Sequence, residues 1–306
     1  MTDGPSAPSL RIRGTVELLK QQSRLLPKNP PQARALLDAV SRSMPWPEVK
    51  EQDAMVAGVP CRLLLPDGAS RGLLVYAHGG GFHGGSFATH ASFLRPLATA
   101  LKRRIVFPLY RLAPEAPFPA GLDDVSNVLS SVLSESDDVL LAGDSAGGTL
   151  ALGAWQRLEE KRLTGLVLVS PWLDLTASSP TIDDAPHDYL EADVIRRLAE
   201  AYLAGADARS PLASPAFAAL SGLPPTLVAS GGQEAFRGEI AAFVEKARAA
   251  GVEVEHDVAT DLPHAYPLVP IFASERRRLI DRIHAWMDRV ERQRPTASPP
   301  HRSRAP

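Results

Sequence analysis

VLLAGDSAGGTL, residues 139–150, contains the feature that decides the fold of this chain. A strand-like apolar run leads through a glycine-rich turn into a segment with helical spacing, which is the context that the G-x-S-x-G nucleophile motif requires. Side chains at Gly143 and Gly147 would clash in so sharp a turn. The turn lifts the Ser145 hydroxyl out at the carboxyl edge of a sheet, beside the unpaired N–H groups that begin a helix. We therefore predict that Ser145 is a nucleophile and that the amide of Ala146 faces a developing oxyanion.

Strand-like and helix-like segments alternate on both sides of this turn. Short, continuous apolar runs are typical of strands that are buried on both faces. The alternation predicts an α/β protein with a mostly parallel sheet covered by helices on both sides. The strand-like runs are 60–65, 73–77, 105–109, 139–142, 166–170, 225–230 and 252–258. The helical patterns lie at 92–102, 120–134, 146–162, 191–203, 235–250 and 274–291.

Two regions stand outside the alternation and are predicted to form a cap. Residues 9–48 carry helical apolar spacing before any strand, and residues 174–215 separate two strands by far more than a single crossover needs. Segments of this kind commonly form a lid over a pocket. The remaining residues of 49–291 are predicted to form the core domain. Residues 1–8 and 292–306 lack apolar anchors and are predicted to be disordered.

HGGGF, residues 78–82, directly follows a strand-like run and is the second chemical signal. Three consecutive glycines weaken any regular structure, but they suit a backbone that presents N–H groups to a substrate. Gly80 and Gly81 are the best candidates for oxyanion donors, with Gly79 letting the loop turn. His78 is expected to brace the loop through a hydrogen bond. The predicted oxyanion hole therefore comprises Gly79, Gly80, Gly81 and Ala146.

The same glycines fit a rival pattern. Gly79, Gly81 and Gly84 satisfy G-x-G-x-x-G after a strand, which is the fingerprint of a dinucleotide-binding domain. That fingerprint expects an acidic residue at the end of the next strand, and the run 105–109 has none there. The nucleotide interpretation is therefore disfavoured, and no cofactor is expected.

A base and an acid are expected after the nucleophile in the chain, in the order serine, acid, histidine. His264 lies in DLPHAYP, in a loop that leaves a predicted strand, where the base should be. Glu234 is the first carboxylate after the run 225–230, and it would hold the imidazole in the correct tautomer. The other candidates for the acid are Glu239, Asp257 and Asp261.

Six motifs, taken together, resemble the hormone-sensitive-lipase-like family of bacterial esterases. They occur in that family's order and spacing, and the resemblance spans about residues 72–290. The motifs are HGGGF (78–82), YRLAPEAPFPAGLDD (110–124), GDSAGG (143–148), GLPPTLVASG (222–231), EAFRGE (234–239) and PHAY (263–266).

The resemblance implies a fold, an activity and a set of site residues. It implies an α/β-hydrolase fold, with a mostly parallel eight-stranded sheet flanked by helices and a helical cap. It also implies hydrolysis of carboxylic esters with short to medium acyl chains. Carried over to this sequence, Ser145 is the nucleophile and His264 the base, and Gly80, Gly81 and Ala146 form the oxyanion hole.

Two positions depart from the family pattern: Thr149 stands where the family often has an asparagine, and the acid also differs. The family's usual acid is an aspartate, whereas this chain has Glu234 at the matching position. Four further charged residues near the motifs are expected to support the structure rather than the chemistry. Arg111, Glu115 and Asp124 are predicted to form ion pairs, and Asp144 to brace the turn at the nucleophile.

Composition restricts the partners and the compartment. The net charge of −2 favours neither nucleic acid nor a membrane surface, and no apolar stretch of the 306 residues is long enough to span a bilayer. Cys61 is the only cysteine, which fits a reducing, cytoplasmic compartment. The sequence has no H-E-x-x-H motif, so no bound metal is expected. The expected partner is a small-molecule ester, and a homodimer stays open.

Alternative functions remain open from the sequence. The same three catalytic residues serve amidases, deacetylases of small metabolites and acyltransferases. A non-catalytic binding protein on a hydrolase scaffold is a further alternative, because a fold does not determine a function. Taken alone, GDSAGG (143–148) also fits a glycine-rich turn with an N-capping serine.

Overall fold

The computed structural model describes residues 8–43, 48–160 and 162–293, and within them eight strands form one sheet. The strands are β1 (Lys50–Val56), β2 (Val59–Leu65), β3 (Leu73–Ala77), β4 (Arg104–Pro108), β5 (Val139–Asp144), β6 (Gly165–Val169), β7 (Thr226–Gly231) and β8 (Val254–Ala259). Their order across the sheet is β1-β2-β4-β3-β5-β6-β7-β8. Strands β1, β2 and β4 pair antiparallel, and every pair from β4 to β8 is parallel. The predicted mostly parallel sheet is confirmed.

Helices cover both faces of this sheet. Successive side chains of a strand point to opposite faces, so Leu140 and Leu141 of β5 pack into two separate apolar clusters. One cluster receives α4, α5, α7 and α8, and the other receives α1, α3 and α9. The helices are α1 (Leu10–Leu25), α2 (Pro30–Arg42), α3 (Phe87–Leu101), α4 (Ala120–Glu135), α5 (Ala146–Arg157), α6 (Pro180–Asp183), α7 (Ala192–Leu203), α8 (Arg237–Ala249) and α9 (Ala273–Gln293).

Most predicted elements occur within a few residues of their expected positions. All seven strand-like runs coincide with strands. Helix α3 begins at Phe87, before the predicted range 92–102, because Ser86 and Thr89 form a capping box at its start. Helix α5 ends at Arg157, where the chain turns extended. No helix among the described residues combines the length and the apolar character needed to cross a bilayer.

The structure differs from the sequence predictions at the edge of the sheet and at the end of the chain. Strand β1 is missing from the predicted runs because it is an edge strand with no buried residue and a largely polar sequence, KEQDAMV. Helix α9 extends to Gln293, so the first two residues of the predicted tail 292–306 are helical. The rest of that tail and all but Pro8 of the predicted disordered segment 1–8 lie outside the described residues.

The two segments predicted to form a cap contact each other. Lys20 of α1 donates a hydrogen bond from Nζ to the carbonyl of Pro186, at 3.2 Å. Arg24 of the same helix pairs with Glu191, at the start of α7. Helix α1 and the 174–215 segment therefore lie side by side, although strands β1 to β6 come between them in the sequence.

Candidate active site

Ser145 lies at the junction between β5 and α5, as GDSAGG predicts. Its backbone adopts φ 51° and ψ −123°, a strained conformation for a residue with a side chain. A Cβ on Gly143 would lie 2.4 Å from the carbonyl oxygen of Gly147, and one on Gly147 would lie 2.1 Å from that of Ala77. The predicted steric reason for both glycines is therefore confirmed.

His264 connects the serine to a carboxylate. Its Nε2 lies 2.9 Å from Ser145 Oγ, and its Nδ1 lies 3.2 Å from Glu234 Oε2. The histidine lies in the loop after β8 and the glutamate in the turn after β7, so adjacent strand ends bring both to the serine. Glu234 is fully buried, whereas Ser145 keeps 7% of its surface exposed to the cavity beside it.

Burial and charge act on this imidazole in opposite directions. Burial opposes the protonated form of His264 and lowers its pKa. The hydrogen bond to Glu234, together with the negative charges of Glu234, Asp188 and Asp144, outweighs burial. The pKa of His264 is therefore raised above its ordinary value of 6.5, and the surroundings stabilise the imidazolium.

The structure does not bring the other candidate acids to His264. Glu239 is buried, but one of its carboxylate oxygens accepts hydrogen bonds from the backbone N–H groups of Leu173, at 2.6 Å, and Asp174, at 3.4 Å. Among the described residues, no hydrogen bond or ion pair joins Glu239, Asp257 or Asp261 to His264. Glu234 is the one of these four carboxylates that contacts the imidazole.

The glycine loop lies against the serine, and only part of the predicted oxyanion set can donate to a substrate. Gly80 and Gly81 have φ values of +114° and +62° and line the cavity at Ser145. Among the described residues, no hydrogen bond from the N–H of either glycine is seen. Ala146 begins α5, so its N–H has no partner within the helix.

Gly79 contributes to the predicted oxyanion hole without donating to a substrate. Its N–H donates to Asp144 Oδ1, at 3.0 Å, and is therefore engaged. The predicted part of Gly79, letting the loop turn, stays a prediction. Its lack of a side chain still matters, because a Cβ there would lie 2.2 Å from Asp144 Oδ2.

Buried polar side chains hold the loop from behind. Asp144 also accepts the hydroxyl of Tyr76, at 2.9 Å, and lies 3.2 Å from His90 Nε2. His78 Nδ1 lies 2.7 Å from the carbonyl oxygen of Gly79. Burial, reinforced by His90, lowers the pKa of His78 to about 3, so its ring is neutral and the Nδ1–H donates. The predicted bracing roles of His78 and Asp144 are confirmed.

An arginine from α2 holds the far end of the glycine loop. Arg34 Nε donates to the carbonyl of His83, at 2.6 Å, and Nη2 donates to that of Ala113, at 2.7 Å. The same guanidinium pairs with both carboxylate oxygens of Glu115, at 3.1 and 2.9 Å. His83 Nδ1 lies in turn 2.8 Å from the carbonyl of Gly81, so the contact continues to the oxyanion loop.

The predicted ion pairs of the 110–124 segment are present. Glu115 pairs with Arg34, as described above, and Arg111 pairs with both carboxylate oxygens of Asp124. These contacts stabilise the loop that precedes α4, and none of them involves the serine or the imidazole.

A cavity of about 310 Å³ opens above Ser145 and His264. Its lining is mostly apolar and comes from the core and from both predicted cap segments. Besides the serine, the imidazole and the glycine loop, its polar lining residues are Thr89, His90, Asp144 and Tyr189. The principal apolar residues of the lining are Leu37, Trp172, Leu190, Ile195, Leu198, Phe236 and Leu268.

Comparison with known proteins identifies the family. Residues 74–268, which include the serine, the glutamate and the histidine, match the family described by the alpha/beta hydrolase fold. This chain belongs to the α/β-hydrolase family. The solved structures similar to this α/β-hydrolase include an esterase from the bacterial hormone-sensitive lipase family, with a TM-score of 0.86 and 31% identity. That alignment covers 93% of this chain and 99% of the other.

Other relatives of this α/β-hydrolase carry related descriptions. A hormone-sensitive lipase from a metagenome library superimposes with a TM-score of 0.85 and 34% identity, over 93% of this chain and 100% of the other. An acetyl-hydrolase of Streptomyces hygroscopicus is 35% identical, over 70% of this chain and 74% of its own length. An esterase of Acinetobacter venetianus is 31% identical, over 81% and 85% respectively. The predicted resemblance to the bacterial hormone-sensitive-lipase family is confirmed.

One buried carboxylate of this α/β-hydrolase is absent from the sequence predictions. Asp188, in the 174–215 segment, has no exposed surface and accepts a hydrogen bond from the backbone N–H of His264, at 3.1 Å. The surrounding sequence, APHDYLEAD, carries no motif, so no signal in the chain identifies it. Arg34, in the helical pattern of 9–48, could not be identified from the sequence either. Both Arg34 and Asp188 contact residues that are distant in the chain.

Proposed function

We propose that this α/β-hydrolase is a serine carboxylesterase that acts through an acyl-enzyme on Ser145. The observation that carries the proposal is the continuous contact from Ser145 Oγ to His264, at 2.9 Å, and from His264 to Glu234, at 3.2 Å, beside an apolar cavity. Descriptions of relatives as esterase, carboxylesterase and acetyl-hydrolase support the same reaction class.

Acylation uses the imidazole as a base and then as an acid. His264 Nε2 takes the proton of Ser145 as Oγ attacks the ester carbonyl carbon and forms a tetrahedral intermediate. The N–H groups of Gly80, Gly81 and Ala146 are the proposed donors to its oxyanion. The bond to the alkoxy group then breaks, His264 gives its proton to the departing alcohol, and the acyl group remains on Ser145.

Deacylation repeats these steps with water. His264 takes a proton from a water molecule, which attacks the acyl carbonyl carbon. The second tetrahedral intermediate collapses, His264 returns the proton to Ser145 Oγ, and a carboxylic acid leaves. Throughout, Glu234 holds the proton-bearing Nδ1 in place and stabilises the imidazolium, which it can do from 3.2 Å.

The cavity supports a small ester with an apolar acyl or alcohol group. Its volume of about 310 Å³ and its apolar lining suit short to medium chains. We propose that the 9–48 and 174–215 segments act as the cap, since Leu37, Ile195 and Leu198 line the cavity together with the serine. The buried free thiol of Cys61 supports a cytoplasmic location, and a homodimer stays a prediction.

The proposal is tested with p-nitrophenyl butyrate and the variant Ser145→Ala. We expect the wild-type protein to release p-nitrophenol and the variant to lose activity by several orders of magnitude, because the nucleophile is gone. Ser134→Ala, which changes an exposed serine of α4, is the matched control and should keep wild-type activity. Full activity of Ser145→Ala would overturn the assigned nucleophile.

Two alternatives are separated by further measurements on the same proteins. A fluorophosphonate probe should label wild-type protein and leave Ser145→Ala unlabelled, whereas a non-catalytic binding protein would stay unlabelled in both forms.

Matched esters and amides with the same acyl group decide the reaction class. Faster turnover of the amide would favour the amidase alternative over the esterase.

A further inference from the structure

Asp188 is a buried acid that the proposed mechanism does not use. It lies between α6 and α7, within the 174–215 segment, and its side chain has no exposed surface. No lysine or arginine is recorded as pairing with it among the described residues. A buried carboxylate is costly unless hydrogen bonds or charges compensate it, so its partners indicate what it does.

The partners of Asp188 are the two loops that carry the acid and the base. Its Oδ2 accepts the backbone N–H of Ala235, the residue that follows Glu234, at 2.8 Å. Its Oδ1 accepts the backbone N–H of His264 itself, at 3.1 Å, and that of Tyr189, at 2.8 Å. One rigid carboxylate therefore spans the turn after β7 and the loop after β8.

We propose that Asp188 is a positioning residue through which the cap sets the distance between Glu234 and His264. The inference rests on the proposed function, because it assigns a role within the same site. Both catalytic side chains belong to irregular segments. The last backbone hydrogen bond between these segments runs from the N–H of Gln233 to the carbonyl of Leu262, at 3.1 Å, and does not reach either catalytic residue. The carboxylate extends the connection to His264 itself and to the residue after Glu234, and it comes from the segment that also lines the cavity.

The charge of Asp188 adds to its hydrogen bonds. Burial raises the pKa of Asp188, but all three recorded hydrogen bonds come from N–H donors, which favour the ionised form. Its negative charge acts on the buried imidazole of His264 and favours the imidazolium that forms during the reaction. The charged groups that act on this imidazole are Glu234, Asp188 and Asp144, and the ring of Tyr189 lies beside it, with 6.2 Å between the ring centroids.

An amide cannot reproduce this arrangement. The asparagine introduced by Asp188→Asn would be close in shape to the aspartate, but it has one acceptor oxygen and an NH₂ group that only donates. In either orientation, the NH₂ group would face a backbone N–H, of Ala235 or of His264. The substitution therefore removes one connection and the charge while leaving the volume of the side chain nearly unchanged.

The test compares Asp188→Asn with Asp193→Asn, the same substitution at an exposed position of the same segment. We expect Asp188→Asn to lower kcat for p-nitrophenyl butyrate about tenfold or more, because small misplacements of catalytic groups are costly. KM should stay within about twofold, since Asp188 is not among the residues lining the cavity. The acidic limb of the kcat/KM profile should move to lower pH, because the imidazolium loses a negative neighbour.

Two other results would contradict either the positioning role of Asp188 or the proposed function. A folded Asp188→Asn with wild-type kcat and an unmoved acidic limb would overturn the positioning role, even if its Tm fell. If Asp188→Asn yields no soluble protein, Asp188→Ser, which removes the charge without adding bulk, is measured in its place with the same expected results. Failure of wild-type protein to hydrolyse the ester or to react with fluorophosphonate would instead contradict the proposed function.

Discussion

His264 sets the pH range in which the proposed reaction runs. It must be neutral to accept the proton of Ser145, and its pKa is raised above 6.5 because Glu234, Asp188 and Asp144 outweigh the effect of burial. We therefore expect kcat/KM to rise as the pH increases through a pKa above 6.5, so that activity is greatest above this raised pKa. Hydrolysis of p-nitrophenyl butyrate from about pH 5 to about pH 9 measures this limb, with p-nitrophenol corrected for its own ionisation. An inflection at or below 6.5 would contradict the assigned surroundings of the base.

Single residues differ in how far the sequence could predict them. Ser145 and His264 could be located because their chemistry requires a local motif or a loop at a strand end. Glu234 could be located only as the first of several carboxylates after its strand. The hydrogen bond from the Gly79 N–H could not be predicted, because its acceptor, Asp144, is distant in sequence. Asp188 could not be predicted, since its role depends on backbone groups that every residue carries.

At the scale of secondary-structure elements, α2 contacts the end of the glycine loop through Arg34. The guanidinium holds the carbonyls of His83 and Ala113, and so supports the loop that presents Gly80 and Gly81. We expect Arg34→Ala to lower kcat about tenfold, because loosened oxyanion donors stabilise the transition state less well.

The measurement is kcat for p-nitrophenyl butyrate, with Arg42→Ala as the control. Arg42 ends the same helix, is exposed, and contacts Asp38 only at 3.8 Å. Arg34→Lys should recover little of the loss, since a lysine cannot make the forked contacts of a guanidinium. Equal kcat values for Arg34→Ala and Arg42→Ala would contradict the expected role of Arg34 in supporting the oxyanion loop.

Elements were predictable where their own residues decide them. Buried parallel strands such as β5 and β6 appear in the sequence as continuous apolar runs, because both of their faces are covered. Strand β1 was missed because an edge strand needs no such run. The start of α3 depends on two capping side chains, Ser86 and Thr89, rather than on apolar spacing.

At the scale of the whole molecule, the buried Arg103 connects the sheet to α9. Its Nη2 donates to both carboxylate oxygens of Asp138, at 2.8 and 2.9 Å, and to Glu291 of α9, at 2.6 Å. The guanidinium has no exposed surface. Asp138→Ala leaves this buried cation with one carboxylate, Glu291, so we expect it to lower the free energy of unfolding by about 2 kcal/mol.

Urea unfolding measures this loss, and Asp137→Ala provides the comparison. Asp137 is the adjacent residue, but its side chain is 86% exposed, so its loss should cost less than about 0.5 kcal/mol. Burial opposes ionisation of Asp138, but Arg103 outweighs it and lowers the pKa of that carboxyl. The stability it contributes is therefore present above the ordinary pKa of 3.8 and is lost as the pH falls through the lower folded value. Equal losses for the two variants would contradict the argument.

The arrangement of the molecule was predictable in class but not in its connections. Alternating apolar runs and helical patterns were sufficient for a covered, mostly parallel sheet. The contacts that the 9–48 and 174–215 segments make with the loops around the site were not predictable, because Arg34 and Asp188 reach residues far away in the chain. Local patterns carry no information on such pairings.

Helix α5 has a consequence for how this enzyme can diversify. Every residue from Ala146 to Trp155 is buried, so the support beneath the nucleophile is surrounded by the interior on all sides. Substitutions in α5 would therefore destabilise the core rather than change the substrate specificity. Laboratory evolution towards new ester substrates should therefore accumulate substitutions at lining residues outside α5, such as Leu37 and Leu198, and leave α5 unchanged.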